Sequence, residues 1–131
     1  MTPDKDKALC EKYPKIFRDR NASMRVTAMC WGFSCGDGWY DLIDTLLLCI
    51  EGNLKPEQVV YISQIKEKFG TLRFYGHGGD DKIRAMIEFA ESFSSKICEQ
   101  CGSPGKTKGR GWYYTACAAH TKEGDHEDSD Q

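Results

Sequence analysis

The sequence predicts an α+β domain in which a β-hairpin or small antiparallel sheet packs on two main helices and a C-terminal metal knuckle of ribbon or treble-clef type closes the fold. Three observations predict it. Two stretches repeat apolar residues at three- and four-residue steps, and two runs rich in β-branched or aromatic residues flank Gly70. Cys98, Cys101, Cys117 and His120 form a CxxC…CxxH set with fifteen residues between its two pairs.

Residues 4–18 read as a short helix interrupted at Pro14, with Leu9, Tyr13 and Phe17 falling on one side. Between residues 19 and 37 the pattern weakens. Arg25 to Trp31 reads as a strand that extends the hairpin, while Gly32 and Gly36 mark irregular backbone around it. The clearest helix covers 38–51, where Trp39, Leu42, Ile43, Leu46, Leu47 and Ile50 share a face until Gly52. After Pro56, the runs Gln58–Ile65 and Thr71–Tyr75 make the hairpin, with Gly70 at the turn where a positive φ is needed. A second main helix at 80–96 presents Ile83, Met86, Ile87, Ala90 and Phe93 as one stripe. Asp37 and Asp80 each stand at a helix start, where unpaired amides need acceptors.

A length of 131 residues, 40% of them apolar, suits one domain with a real core. Residues 1–120 form that domain, with the knuckle at 97–120. From Thr121 to Gln131 one lysine stands against five acids, a charge of −4, so the total of −2 leaves +2 for the body. The tail is expected to be disordered and dispensable for thermal stability. Three thiolates on a divalent ion bring the body close to neutral, which excludes a global electrostatic pull on nucleic acid. The polar opening residues lack a signal peptide's pattern, and no apolar run approaches the roughly 20 residues of a membrane span, so a cytoplasmic protein is expected. Cys10, Cys30, Cys35 and Cys49 show no close pairing, so reduced thiols are expected, with Cys49 as buried filler in an apolar run.

Two ligands separated by two residues can grip one tetrahedral ion from a tight turn, and Gly102-Ser-Pro-Gly105 supplies that turn. Four protein ligands leave no open position. A structural Zn2+ held by Cys98, Cys101, Cys117 and His120 is therefore expected, rather than a water-activating ion. Cys30 to Asp41 gathers four aromatics, three glycines, two thiols and two acids. Its main reading is a sharp turn anchored by Trp31, Phe33 and Trp39. The functional alternative makes Trp31, Phe33, Asp37, Trp39 and Tyr40 a surface for a partner protein. A second candidate surface is the loop carrying Lys106, Lys108, Arg110 and Trp112, whose charge and rings also suit single-stranded nucleic acid, with Lys66, Lys68 and Arg73 as an extension. An enzyme reading would pair Cys35 with His77 and with Asp37 or Asp80.

Trp31-Gly-Phe-Ser-Cys-Gly-Asp-Gly-Trp39, Lys66-Glu-Lys-Phe-Gly-Thr-Leu-Arg-Phe-Tyr75 and the CxxCG-x-PG…GW…CxxH segment together resemble a family of small bacteriophage and prophage proteins. The resemblance spans about residues 11 to 120, with the acidic tail outside it. It implies zinc on the same four ligands and brings no established activity. It also implies a non-enzymatic protein that meets a host or phage protein in the host cytoplasm, an inhibitor of a bacterial defence system being one form.

Overall fold

The computed structural model describes residues 1–18 and 32–125. The strand expected at 25–31, with Trp31 and Cys30, lies outside them. Three α-helices and two antiparallel two-stranded sheets make up the described chain: α1 (Pro3–Lys12), α2 (Tyr40–Gly52), β1 (Tyr61–Lys68), β2 (Thr71–His77), α3 (Asp81–Phe93), β3 (Lys106–Lys108) and β4 (Tyr114–Ala116).

α1 stops before Pro14, and Leu9, Tyr13 and Phe17 are all buried. The Tyr13 hydroxyl donates to Asp44 Oδ1 of α2 at 2.7 Å, which orients the first helix across the second. α2 sends Ile43, Leu46, Leu47 and Ile50 into the core, because these positions repeat with the helical period. α3 begins at Asp80, whose Oδ1 accepts from the Ile83 amide at 3.0 Å, and that bond holds the Asp80 carboxyl below its ordinary pKa. On the expected stripe of α3, Ile83 and Ala90 are buried, Met86 and Ile87 are half-buried, and Phe93 stands exposed.

β1 and β2 pair from Tyr61↔His77 to Lys68↔Thr71, with a bulge between Ile62 and Gln64. Phe69 and Gly70, at φ 55° and 86°, form the two-residue turn with both residues in the left-handed region that a right-twisted hairpin requires. Ile65, Leu72 and Phe74 face the core. Neither edge of the hairpin is left open. α3 covers β2, since the Leu72 amide donates to Ser94 Oγ and the Phe74 amide to Glu91 Oε2, both at 2.9 Å. On β1, Ser34 bridges to Lys66, and the Ile62 amide donates to the Ile16 carbonyl at 2.9 Å. Covered edges remove the usual template for aggregation by strand pairing.

The chain stays packed beyond His120. Thr121 is buried, Lys108 Nζ donates to its hydroxyl at 2.7 Å, and the Tyr114 hydroxyl bonds to Asp125. Residues 121–125 are therefore not the disordered start of the tail that the sequence suggested, and residues 126–131 lie outside the described residues. Removing 126–131 should leave the melting temperature unchanged, whereas removing 121–131 should lower it, as a thermal scan of both truncations will show. Trp39→Ala should cost about 3–5 kcal/mol in urea denaturation, because it empties the largest fully buried side chain. Phe89→Ala, on an exposed helix face, should change stability by less than about 0.5 kcal/mol.

Candidate metal centre

The two halves of the CxxC…CxxH set come from opposite ends of the β3–β4 hairpin. Cys98 and Cys101 lie on the turn that follows α3, and Cys117 and His120 bracket a 3-10 turn, Ala118–His120, directly after β4. β3 and β4 pair from Lys106↔Ala116 to Lys108↔Tyr114, which brings the pairs together. Cys98 Sγ is 3.6 Å from His120 Nδ1, Cys101 Sγ is 3.7 Å from Cys117 Sγ, and Cys117 Sγ is 3.2 Å from His120 Nδ1. All four ligand atoms lie within 4.8 Å of one another, a group able to hold a metal ion. Cys98 is buried, Cys117 and His120 are half-buried, and Cys101 faces solvent.

The backbone favours a thiolate at Cys101, where the Ser103 hydroxyl and amide bring the thiol down to about 6. At Cys117 burial raises the thiol above its ordinary pKa, and the amides of His120 and Ala119 oppose that shift. Hydrogen bonds of this kind orient metal ligands and hold their charge. The fit is therefore made by donor set, spacing and surrounding amides together. An ion held by all four of these residues would have no position left for an activated water.

The aromatic-glycine segment turns out to be the bed of this centre. The Gly38 amide donates to the Glu99 carbonyl at 2.7 Å, and the Gly36 amide to Glu99 Oε2 at 2.8 Å. The Trp39 indole Nε1 donates to the Ile97 carbonyl at 2.9 Å. A Cβ added to Gly38 would overlap the Cys98 carbonyl oxygen, and one on Gly36 would overlap the Glu99 carbonyl oxygen. Neither glycine has a positive φ. They are needed for close approach, not for the sharp turn that the sequence suggested. Burial raises the Glu99 carboxyl above its ordinary pKa, while the Gly36 amide opposes that shift. Nothing in Cys98-Glu99-Gln100-Cys101 marked Glu99 as the contact residue.

Several candidate residues take other roles. Phe33 and Trp39 are buried, so they anchor the core and present nothing to a partner. Tyr40 is half-buried, with Lys5 Nζ 5.3 Å from its ring centre. Asp37 is no helix cap: it accepts from the Thr2 amide at 2.7 Å, which lowers its pKa and ties α1 to this segment. Lys106, Arg110 and Trp112 are exposed on the β3–β4 hairpin, and Lys108 is half-buried. Cys49 is exposed rather than buried filler. Cys35 is buried, and burial pushes its thiol up to about 12. His77 is exposed, stacked 4.9 Å from the Tyr61 ring centre and 3.2 Å from Ser63 Oγ. Among the described residues no hydrogen bond joins Cys35 to His77, and a thiol held protonated is a poor nucleophile. The Cys35/His77 constellation is thereby corrected to two separate side chains.

The sequence also missed an apolar groove between α2 and α3. Its volume is about 460 Å3, and Leu42, Leu46, Cys49, Met86, Phe89 and Ala90 are among its walls. The signal for it was the spacing of Met86, Phe89 and Phe93, a second stripe beside the core-facing one.

Comparison with protein families, curated proteins and solved structures gives no match for this chain. The site therefore rests on its own geometry. The purified protein should carry one metal ion per chain by elemental analysis, and Cys98→Ser should abolish both that stoichiometry and solubility. Gly38→Ala should lower the melting temperature by several degrees through the overlap at the Cys98 carbonyl, whereas Gly111→Ala, where a Cβ meets open space, should cost less despite its positive φ.

Proposed function

We propose that this protein is a non-catalytic, zinc-stabilised module that binds a host or phage protein, with inhibition of a bacterial defence system as its narrower form. The apolar α2–α3 groove carries the reading. Phe89 is 70% exposed at its edge, and Leu48 and Phe93 stand exposed on the same two helices. The Phe89 and Phe93 rings stack with centres 5.9 Å apart, and exposed apolar surface of this kind marks interaction sites. No helix among the described residues is long and apolar enough to cross a membrane, so a lipid span does not account for it.

Zinc is supported by the donor set. Bonds of about 2.3 Å to sulfur and about 2.0–2.1 Å to nitrogen give tetrahedral edges of about 3.8 Å between sulfurs and about 3.5 Å between sulfur and nitrogen. The separations of 3.7 Å and 3.6 Å match those edges, the Cys117–His120 separation of 3.2 Å is shorter, and the whole group spans up to 4.8 Å, so the donor set carries the zinc reading more than the distances do. In this reading Cys98, Cys101, Cys117 and His120 hold Zn2+, which closes the fold and takes no part in chemistry. The resemblance to bacteriophage and prophage proteins supports a partner met in the bacterial cytoplasm.

A tagged pull-down from nuclease-treated bacterial lysate, read by mass spectrometry, tests the reading with Phe89→Ser as the control. One stoichiometric protein retained by the wild type and lost with Phe89→Ser is expected. Equal capture by both chains, or no captured protein, would remove it.

A further inference from the structure

A separate surface lies on the outer face of the first hairpin. Side chains alternate along paired strands, so the face opposite Ile65, Leu72 and Phe74 carries Gln64, Lys66 and Lys68 from β1, and Thr71, Arg73, Tyr75 and His77 from β2; Lys68, Tyr75 and His77 are exposed and the other four half-buried. It holds three cations and no acid. Lys66 and Arg73 stand directly opposite each other, a like-charge pairing that weakens a hairpin left to itself.

The turn adds a second unbalanced choice. Phe69 is the only residue other than glycine with a positive φ among the described residues, at 55°. That position of a two-residue hairpin turn favours Asn, Asp or Gly. Its ring is 64% exposed, with Lys68 Nζ 5.5 Å from the ring centre. Neither turn geometry nor burial accounts for a phenylalanine here, and strain of this kind collects where a ligand is gripped.

The β3–β4 hairpin meets this tip. Thr115 Oγ1 donates to the Gly70 carbonyl at 2.6 Å, and a Cβ built on Gly70 would lie 3.0 Å from Thr107 and 3.2 Å from the Tyr113 carbonyl carbon. The junction joins Phe69 to a hairpin carrying exposed Lys106, Arg110, Trp112 and Tyr113. Glu67 Oε2 accepts from the Gly70 amide at 2.7 Å, so one acid sits at the turn itself, and Glu88 and Glu91 share a cleft with Tyr75 and His77.

We infer that the outer face of β1–β2 and the adjoining tip of β3–β4 form one track for single-stranded nucleic acid, with Phe69 and Trp112 stacking on bases. Lys66, Lys68, Arg73, Lys106 and Arg110 face the phosphates. Rings accept any base, and the cations follow the backbone, so binding is tolerant of sequence and falls with salt.

Fluorescence anisotropy of the full metal-loaded chain with labelled oligothymidylate, oligouridylate and a DNA duplex tests this. Single strands should bind more tightly than the duplex, and affinity should fall steeply between about 50 mM and about 200 mM salt. Phe69→Asn suits the turn, so it should match or exceed the wild-type melting temperature while weakening single-strand binding about tenfold. Lys68→Gln should reduce the salt slope by about one. Absence of single-strand binding by the wild type overturns the inference. So does unchanged affinity in Phe69→Asn, or equal binding of duplex and single strand. A surface that instead grips a protein gives the first of these results. Because the groove is probed by Phe89→Ser in a nuclease-treated lysate, the two readings fail independently.

Discussion

The contact between the Gly36–Trp39 segment and the first metal knuckle is the constraint on which the rest of the structure depends. Three donors, the amides of Gly36 and Gly38 and the Trp39 indole, point at one stretch, Ile97 to Glu99, that contains a metal ligand. Trp39 is fully buried at the head of α2, so the bonds that seat the knuckle also fix where that helix enters the core. A small domain has little stability to spare, and a metal centre detached from the core would tie down only its own loop. Here the closure acts on the whole chain, through two glycines that let backbone meet backbone.

From that seat the other pieces follow. The β3–β4 hairpin reaches past the knuckle to the first hairpin, where Thr115 bonds to Gly70, and α3 and Ser34 cover the two edges of β1–β2. Among the described residues, the surfaces left open include the groove between α2 and α3 and a basic face with exposed rings, and Cys35 is buried away from solvent.

Much of the fold was legible because it rests on local pattern. The periods of α2 and of Leu9, Tyr13 and Phe17, the Asp80 cap, the Gly70 turn and the ligand spacing are each decided within a few residues. The roles of Gly36 and Gly38 were not, since a glycine needed for close tertiary approach reads like one needed for a turn. Exposure was also hidden. Phe33 and Trp39 are buried while Phe69, Phe89 and Cys49 are not, and that division depends on which element covers which face. Asp37 shows the same limit: its partner, Thr2, lies thirty-five residues away.

Hydrogen exchange on the Trp39 indole and the α2 amides, with and without a metal chelator, tests the lock most directly. Chelation should strip protection from the Trp39 indole and from α2 together with the knuckle, because Ile97 and Glu99 hold both. Loss of protection confined to residues 97–120, with Trp39 and α2 still protected, would contradict the account.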